Sequence, residues 1–261
     1  METSPIEELF AKALDGEYDD DEPWSAVHAL HGMRDRAVFD RAAAWCASGD
    51  PLKRARGADV LAQIGKSADQ NTNAFPEESY EAVVRMLERE KDPRPLSSGL
   101  FALGHLDQPA GLPLVLDHVT HANERVRFAA AFALGCFEKE PGATHALLTL
   151  MTDPSNDVRD WATFAVGVLG SADTPEIREA LFARTADPDI DTREEAMVGL
   201  AKRKDPRVVG PLLAELAQLE LTSRSDEAAR LLLGLEHADE EWTAAELIEA
   251  IRVRFGGREF K

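Results

Sequence analysis

The sequence predicts an all-α protein, a tandem array of about six to seven helix pairs. Three observations predict it: six windows that agree in four columns, helical spacing inside each window, and Asp-Pro dipeptides between windows. The windows are anchored at Arg54, Leu96, Arg127, Arg159, Arg193 and Asp226, with spacings of 42, 31, 32, 34 and 33 residues. Three places on stands a small residue: Gly57, Gly99, Ala130, Ala162, Ala196 and Ala229. The fifth place holds Phe101, Phe132, Phe164, Val198 and Leu231, broken only by Asp59. The seventh holds Leu61, Leu103, Leu134, Val166, Leu200 and Leu233, and the eighth Ala62, Gly104, Gly135, Gly167, Ala201 and Gly234. Offsets three, seven and eight share one side of a helix, so the small residues are expected to admit a neighbouring helix. The bulkier fifth and seventh places are expected to fill the space beside it. Sustained period-two alternation and Asn-Gly hairpin turns are both missing, so no β pattern competes.

From the N-terminus, the first 22 residues carry nine acids against Lys12 and contribute −8 to the charge. Within them Ile6, Leu9, Phe10, Ala13 and Leu14 suit a short amphipathic turn docking on the first unit, while Asp19 to Glu22 is expected to be solvated coil. Residues 23–49 are expected to form an N-terminal cap unit, residues 50–235 the repeats and residues 236–261 a C-terminal cap, all in one domain of 261 residues. The polar stretch GKSADQNTNAFPEES, residues 65–79, accounts for the long first spacing and reads as a loop. Each later window is followed by a second amphipathic segment: 109–119, 141–151, 174–184, 205–219 and 240–254. Thr174-Pro175 supplies an N-cap with proline at the first helical position. Asp50-Pro51, Asp92-Pro93, Asp153-Pro154 and Asp187-Pro188 mark the seams, because proline cannot continue a helix and Asp favours a turn or cap.

The strings DPSNDVRDWATFAVG (153–167) and RVRFAAAFALG (125–135) resemble HEAT-like repeats, more narrowly the short subtype associated with phycobilisome lyases. The resemblance covers about residues 50–235. It implies a right-handed α-α superhelix, a HEAT/armadillo-like solenoid whose second helices line the concave side. It says little about function, because the same repeat serves scaffolds, adaptors and a few enzymes.

Composition narrows the possibilities. The chain has 29 Lys+Arg against 48 Asp+Glu, a net charge of −19, and a pI near 4.8. Direct nucleic-acid binding is not expected, since it needs clustered bases that displace counterions from phosphates. The glycosylases that resemble it in fold use a basic groove, which the sequence lacks. No apolar run approaches the ~20 residues of a membrane span, and METSPIEELF lacks the features of a signal peptide, so the expected compartment is the cytoplasm. Cys46 and Cys136 stand far apart and sit in apolar helical patterns, where cysteine behaves as a small hydrophobe. Neither GxSxG nor a phosphate-binding loop occurs, and Val60 stands where the upstream glycine of Gly65-Lys66-Ser67 belongs.

Two features repeat. Arg127, Arg159 and Arg193 read as structural bridges to an adjacent unit, because an anion site seldom needs a copy in every unit. Phe101, Phe132, Phe164 and Trp161 read as core. The pairs His28/His31 and His118/His121, the latter beside Asp117, have helical spacing but no HExxH string. The di-iron HEAT-like enzymes take their ligands from His-Glu dipeptides, which are missing. No metal and no cofactor are therefore expected.

The second-helix residues facing away from the core are the binding candidates: Asp117, His118, His121, His145, Thr149, Glu176, Glu179, Glu215 and Gln218. Together they are expected to form a net acidic concave wall. The reading is a non-enzymatic interaction scaffold or adaptor for a protein or peptide partner that is basic, because negative charge steers such a partner. The alternatives are an enzyme or chromophore handler of the phycobilisome-lyase type, and an acidic inhibitor of a nucleic-acid-binding protein or toxin.

Overall fold

The computed structural model describes residues 4–67, 69–218, 221–235 and 241–255. Among these residues there are fifteen α-helices and no strand. They divide into two compact units, 1–137 and 138–261. Of the expected C-terminal cap, 236–261, residues 241–255 with helix α15 lie within the described part and the rest lies outside it.

In the first unit, α1 (Pro5–Lys12) and α2 (Asp21–His31) precede α3 (Arg36–Cys46), α4 (Pro51–Gln63), α5 (Pro76–Leu87), α6 (Pro93–Leu106), α7 (Leu112–Leu116) and α8 (Glu124–Cys136). The anchors Arg54, Leu96 and Arg127 lie on α4, α6 and α8, which pack side by side as one row of first helices. Their third- and seventh-place residues are buried, as the columns require. The docking of α1 follows from the apolar spacing: Phe10 is buried and meets Trp45 edge-on, with ring centroids 4.7 Å apart.

The seams explain where first helices start. Asp50 and Asp92 are N-caps with proline following, and each carboxylate accepts the N–H two residues on, from Leu52 (2.9 Å) and Arg94 (3.0 Å). Asp153 and Asp187 act one step earlier, accepting from Ser155 (2.9 Å) and Asp189 (3.1 Å), which are themselves N-caps.

Three local expectations are corrected. Asp19 to Glu22 is exposed as expected but is not coil throughout: Asp21 and Glu22 form the first turn of α2, where the helix dipole favours negative charge, and Asp19 pairs with Arg125 at 2.8 Å. The segment 109–119 is not one amphipathic helix. A 3-10 turn at Pro109–Gly111 leads into α7, which ends at Leu116. The polar insert ends at Pro76, where α5 begins, so the last four residues of 65–79 are helical. What remains is fastened by Asn73 on the Leu61 carbonyl (2.8 Å) and by Arg34 on the Gly65 carbonyl (3.0 Å).

In the second unit, α9 (Pro141–Leu150) precedes α10 (Asn156–Phe164), α11 (Pro175–Arg184), α12 (Ile190–Lys202), α13 (Val209–Gln218), α14 (Ser223–Leu233) and α15 (Ala244–Phe255). Here α10, α12 and α14 form the row of first helices. Helix α10 runs into a π-turn at Ala165–Leu169, where the Gly170 N–H bonds the Ala165 carbonyl at 2.8 Å. The π-turn lies directly against α12: a Cβ on Gly199 would lie 2.7 Å from the Gly167 Cα. The buried Arg203 guanidinium gathers the freed carbonyls of Val166 (2.8 Å), Gly167 (3.1 Å) and Ala172 (2.8 Å).

Candidate functional site

The anchor arginines are structural, as the repeat implied. Arg159 donates to both Asp187 oxygens (3.0 and 2.9 Å) and to the Asp153 carbonyl (2.9 Å). Arg193 reaches the Asp187 carbonyl (2.9 Å) and Glu215 (3.2 Å). Arg54 clamps Glu90 at 2.5 and 3.0 Å, and Arg127 holds the His121 carbonyl at 2.9 Å. Each anchor thus ties its helix to the turn before it, to the next repeat, or to both.

The second-helix candidates are less uniform than their spacing suggested. Asp117 is exposed at the end of α7, and His118 and His121 lie in the turn beyond it, not on a helix face. Their rings are 6.2 Å apart. His118 Nδ1 contacts the Leu114 carbonyl (2.8 Å), and His121 Nδ1 accepts the Asn123 N–H (3.0 Å). Among the described residues no group of three or more His, Cys, Asp or Glu could hold a metal ion. His145 and Thr149 are exposed on α9, as are Glu176 on α11 and Gln218 on α13. Glu179 is engaged by Arg207, and Glu215 is half-buried under Arg193.

The other side of each pair carries more. Position five lies about 180° round the helix from positions three and seven, so its residues share a stripe with positions minus two, one, two and nine. Phe101, Phe132, Trp161 and Phe164 are accordingly half-buried instead of fully enclosed, which corrects their reading as core, and Phe128 is half-buried beside them. In the first unit Phe101 stacks on Phe128 (6.0 Å) and Phe132 (5.0 Å), and Phe132 on His105 (5.0 Å). Burial, with Lys66 and His31 nearby, pushes His105 down to about 4 and leaves it neutral. Cys136, at the end of α8, is exposed, unlike buried Cys46.

The ends of the first-unit stripe carry bases. Arg94 and Arg125 are exposed but contacted by the segment between α1 and α2: the Tyr18 ring lies under Arg94 (5.1 Å), and Asp19 pairs with Arg125. Tyr18 also bonds Asp59 (2.7 Å) and contacts Ser98 (2.8 Å), beside buried Arg56, which donates to the Ala13 and Tyr18 carbonyls at 2.9 and 2.7 Å. Asp59 was the break in the fifth column, and this buried network is its physical reason. Burial, opposed by Tyr18 and Arg56, holds its carboxyl up at about 6.

On the second unit the stripe is acidic. Asp157 and Asp160 of α10, Asp191, Glu194 and Glu195 of α12, and Glu227 of α14 share this stripe with Trp161 and Phe164, whose rings are 5.3 Å apart. Arg224 lies over Phe164 (5.3 Å) and pairs with Glu195 (2.9 Å) and Glu227 (2.8 Å). Two oxygens are buried without a hydrogen-bond donor, Asp160 Oδ1 and Glu195 Oε2. Burial, then repulsion from Asp191, Asp189 and Asp157, lifts Asp160 to about 6. Burial, against Arg224 and reinforced by Asp160, lifts Glu195 to about 7.

Comparison with known proteins agrees with the architecture. Residues 80–167 match the family profile described as HEAT repeats. Protein YibA of Escherichia coli is 36% identical over 104 residues, 40% of this chain and 36% of that protein, so the match spans about a third of the relative's length. The X-ray structure of the E. coli YibA protein superposes with a TM-score of 0.71 at 23% identity, covering 94% of this chain and 92% of that one. A designed armadillo repeat protein in complex with the peptide (KR)4 superposes at 0.51 and 14% identity, covering 76% and 98%. The fold is that of an α solenoid, and the similarity to HEAT repeats lies over residues 80–167. No helix among the described residues is long and apolar enough to cross a membrane.

Proposed function

We propose that this α solenoid, with its HEAT repeats, is a non-enzymatic interaction scaffold or adaptor of the cytoplasm that receives a basic protein or peptide. The observation that carries this reading is the carboxylate-rich stripe of α10, α12 and α14, where acids outnumber bases and two buried oxygens lack donors. The receiving face is that of the first helices, which hold the half-buried aromatic rings, and the second-helix residues His145, Thr149, Glu176 and Gln218 form an accessory wall. The (KR)4 peptide carried by a designed armadillo protein supports the chemistry on this type of fold.

The test is anisotropy of a labelled alternating Lys-Arg octapeptide titrated with the full chain. Binding at ~0.05 M salt that weakens at least about tenfold at ~0.5 M salt is expected, since screening shortens the reach of exposed charges. Binding that ignores salt, or an equal preference for an acidic peptide of the same length, contradicts the reading.

A further inference from the structure

The stripe of the first helices differs in charge between the two units. At places minus two, one, two, five and nine, α10, α12 and α14 carry the six acids named above, whereas α6 and α8 carry Arg94, Arg125 and no acid. We propose that the stripe of α6 and α8 receives a protein segment in which an aromatic side chain adjoins an Asp or Glu. The incoming ring lies on the phenylalanines and the carboxylate pairs with the arginines. This surface is separate from the basic-partner reading, which rests on the carboxylates of the second unit.

The chain itself supplies the pattern once. Tyr18 and Asp19, between α1 and α2, are an aromatic–acid pair: the Tyr18 ring lies 5.1 Å from the Arg94 guanidinium, and Asp19 accepts from Arg125 at 2.8 Å. The bond from Arg125, against some burial and with the charges of Arg94 and Arg56 adding to it, holds the Asp19 carboxyl below the usual carboxylate range. A carboxylate is therefore favoured beside these arginines.

This internal pair leaves room for a second. Asp19 takes one nitrogen of Arg125, whose side chain is 63% exposed, and among the described residues Arg94 makes no ion pair. The two arginines converge, since both line one open cavity of about 510 Å³. The carboxylates on that cavity, Asp50 and Asp92, are committed to the Leu52 and Arg94 N–H groups. Phe128 lies one turn along α8 from Arg125, and Phe101 two turns along α6 from Arg94, each on the face of its arginine. The Phe101 ring stands 6.0 Å from Phe128 and 5.0 Å from Phe132, and all three are half-buried, a surface suited to another ring. The Arg125–Asp19 pair is exposed at both ends, and such pairs contribute little, so a second carboxylate can share or displace it.

The test is anisotropy of a labelled hexapeptide of three Phe-Asp pairs, titrated with the full chain at ~0.15 M salt. It is expected to bind at least about tenfold more tightly than an Ala-Asp hexapeptide, which lacks the rings, and a Phe-Asn hexapeptide, which lacks the charge. Arg94→Gln and Arg125→Gln, both at exposed positions, are expected together to weaken it about tenfold. Asp19→Asn removes the internal competitor and is expected to tighten it about threefold, while Glu249→Gln, the same change of charge on α15, leaves it unchanged. Thermal melts establish that each variant is folded. A Phe-Asp peptide that binds no better than both controls, or whose advantage survives the double arginine substitution, overturns the proposal.

Discussion

Arg159 shows how a single side chain can fasten a repeat. Its guanidinium is 8% exposed and joins both oxygens of Asp187, which is 4% exposed, to the carbonyl of Asp153. Removing it leaves buried Asp187 with Arg184 (2.9 Å) and the Asp189 N–H (3.1 Å) as its remaining partners, so Arg159→Ala is expected to lower unfolding stability by about 1–3 kcal/mol. Arg159→Lys, which loses the two-pronged geometry, should recover only part of that. Guanidinium titration of the three proteins checks both statements, and a loss in Arg159→Ala under about 1 kcal/mol contradicts the first. Arg203 does equivalent work at the π-turn, but its partners are carbonyls scattered over Val166 to Ala172, a pattern with no periodic trace.

At the scale of helices, close approach is set by the residues of the small columns. A Cβ on Gly57 would lie 2.7 Å from the Ala42 carbonyl and 2.8 Å from the Cys46 backbone nitrogen, so α3 sits directly against α4 there. Gly57→Ala is expected to destabilise by about 1–3 kcal/mol despite the better helix propensity of alanine, because the backbone opposite has no soft side chain to yield. Gly210, exposed on α13 with nothing within 4 Å of a built Cβ, is the opposite case. Gly210 precedes Pro211, whose ring disfavours a Cβ on a helical residue before it, so the propensity gain of Gly210→Ala is offset and stability should change by less than about 0.5 kcal/mol. Chemical denaturation of the two variants checks this, and a Gly57→Ala loss no larger than that of Gly210→Ala contradicts it.

For the whole molecule, charge dominates. Asp59 and Asp160 at about 6 and Glu195 at about 7 hold protons in the folded chain at pH values where an unfolded carboxyl near 4 has released them. The folded state binds more protons there, so these groups reduce stability as pH rises from about 4.5 through 7. A net charge of −19 acts in the same direction through self-repulsion. Asp205, bonded by Arg207, and Asp187 and Glu90, which Arg159 and Arg54 hold down against their burial, lie below the ordinary carboxylate range. Their contribution is present above the unfolded value and is lost as pH falls below about 4. Thermal melts should therefore give the highest Tm near pH 5, with a decline towards pH 8 and a steeper one towards pH 3. A Tm that rises steadily from pH 5 to 8 contradicts this.

The one-dimensional pattern determined the helix pairs, the seams and the bridging role of the anchor arginines, because each follows from spacing along a single helix or from a local cap. Asp50 capping Leu52 and the buried third-place column are both legible in that way. Only the tertiary structure decided which face bears the candidate site. Whether Phe164 ends in core or on an open stripe, whether Glu215 is free or held by Arg193, and whether Asp160 and Glu195 share one field depend on helices brought side by side. Periodicity records that a residue faces a given direction; it does not record what another helix has placed there.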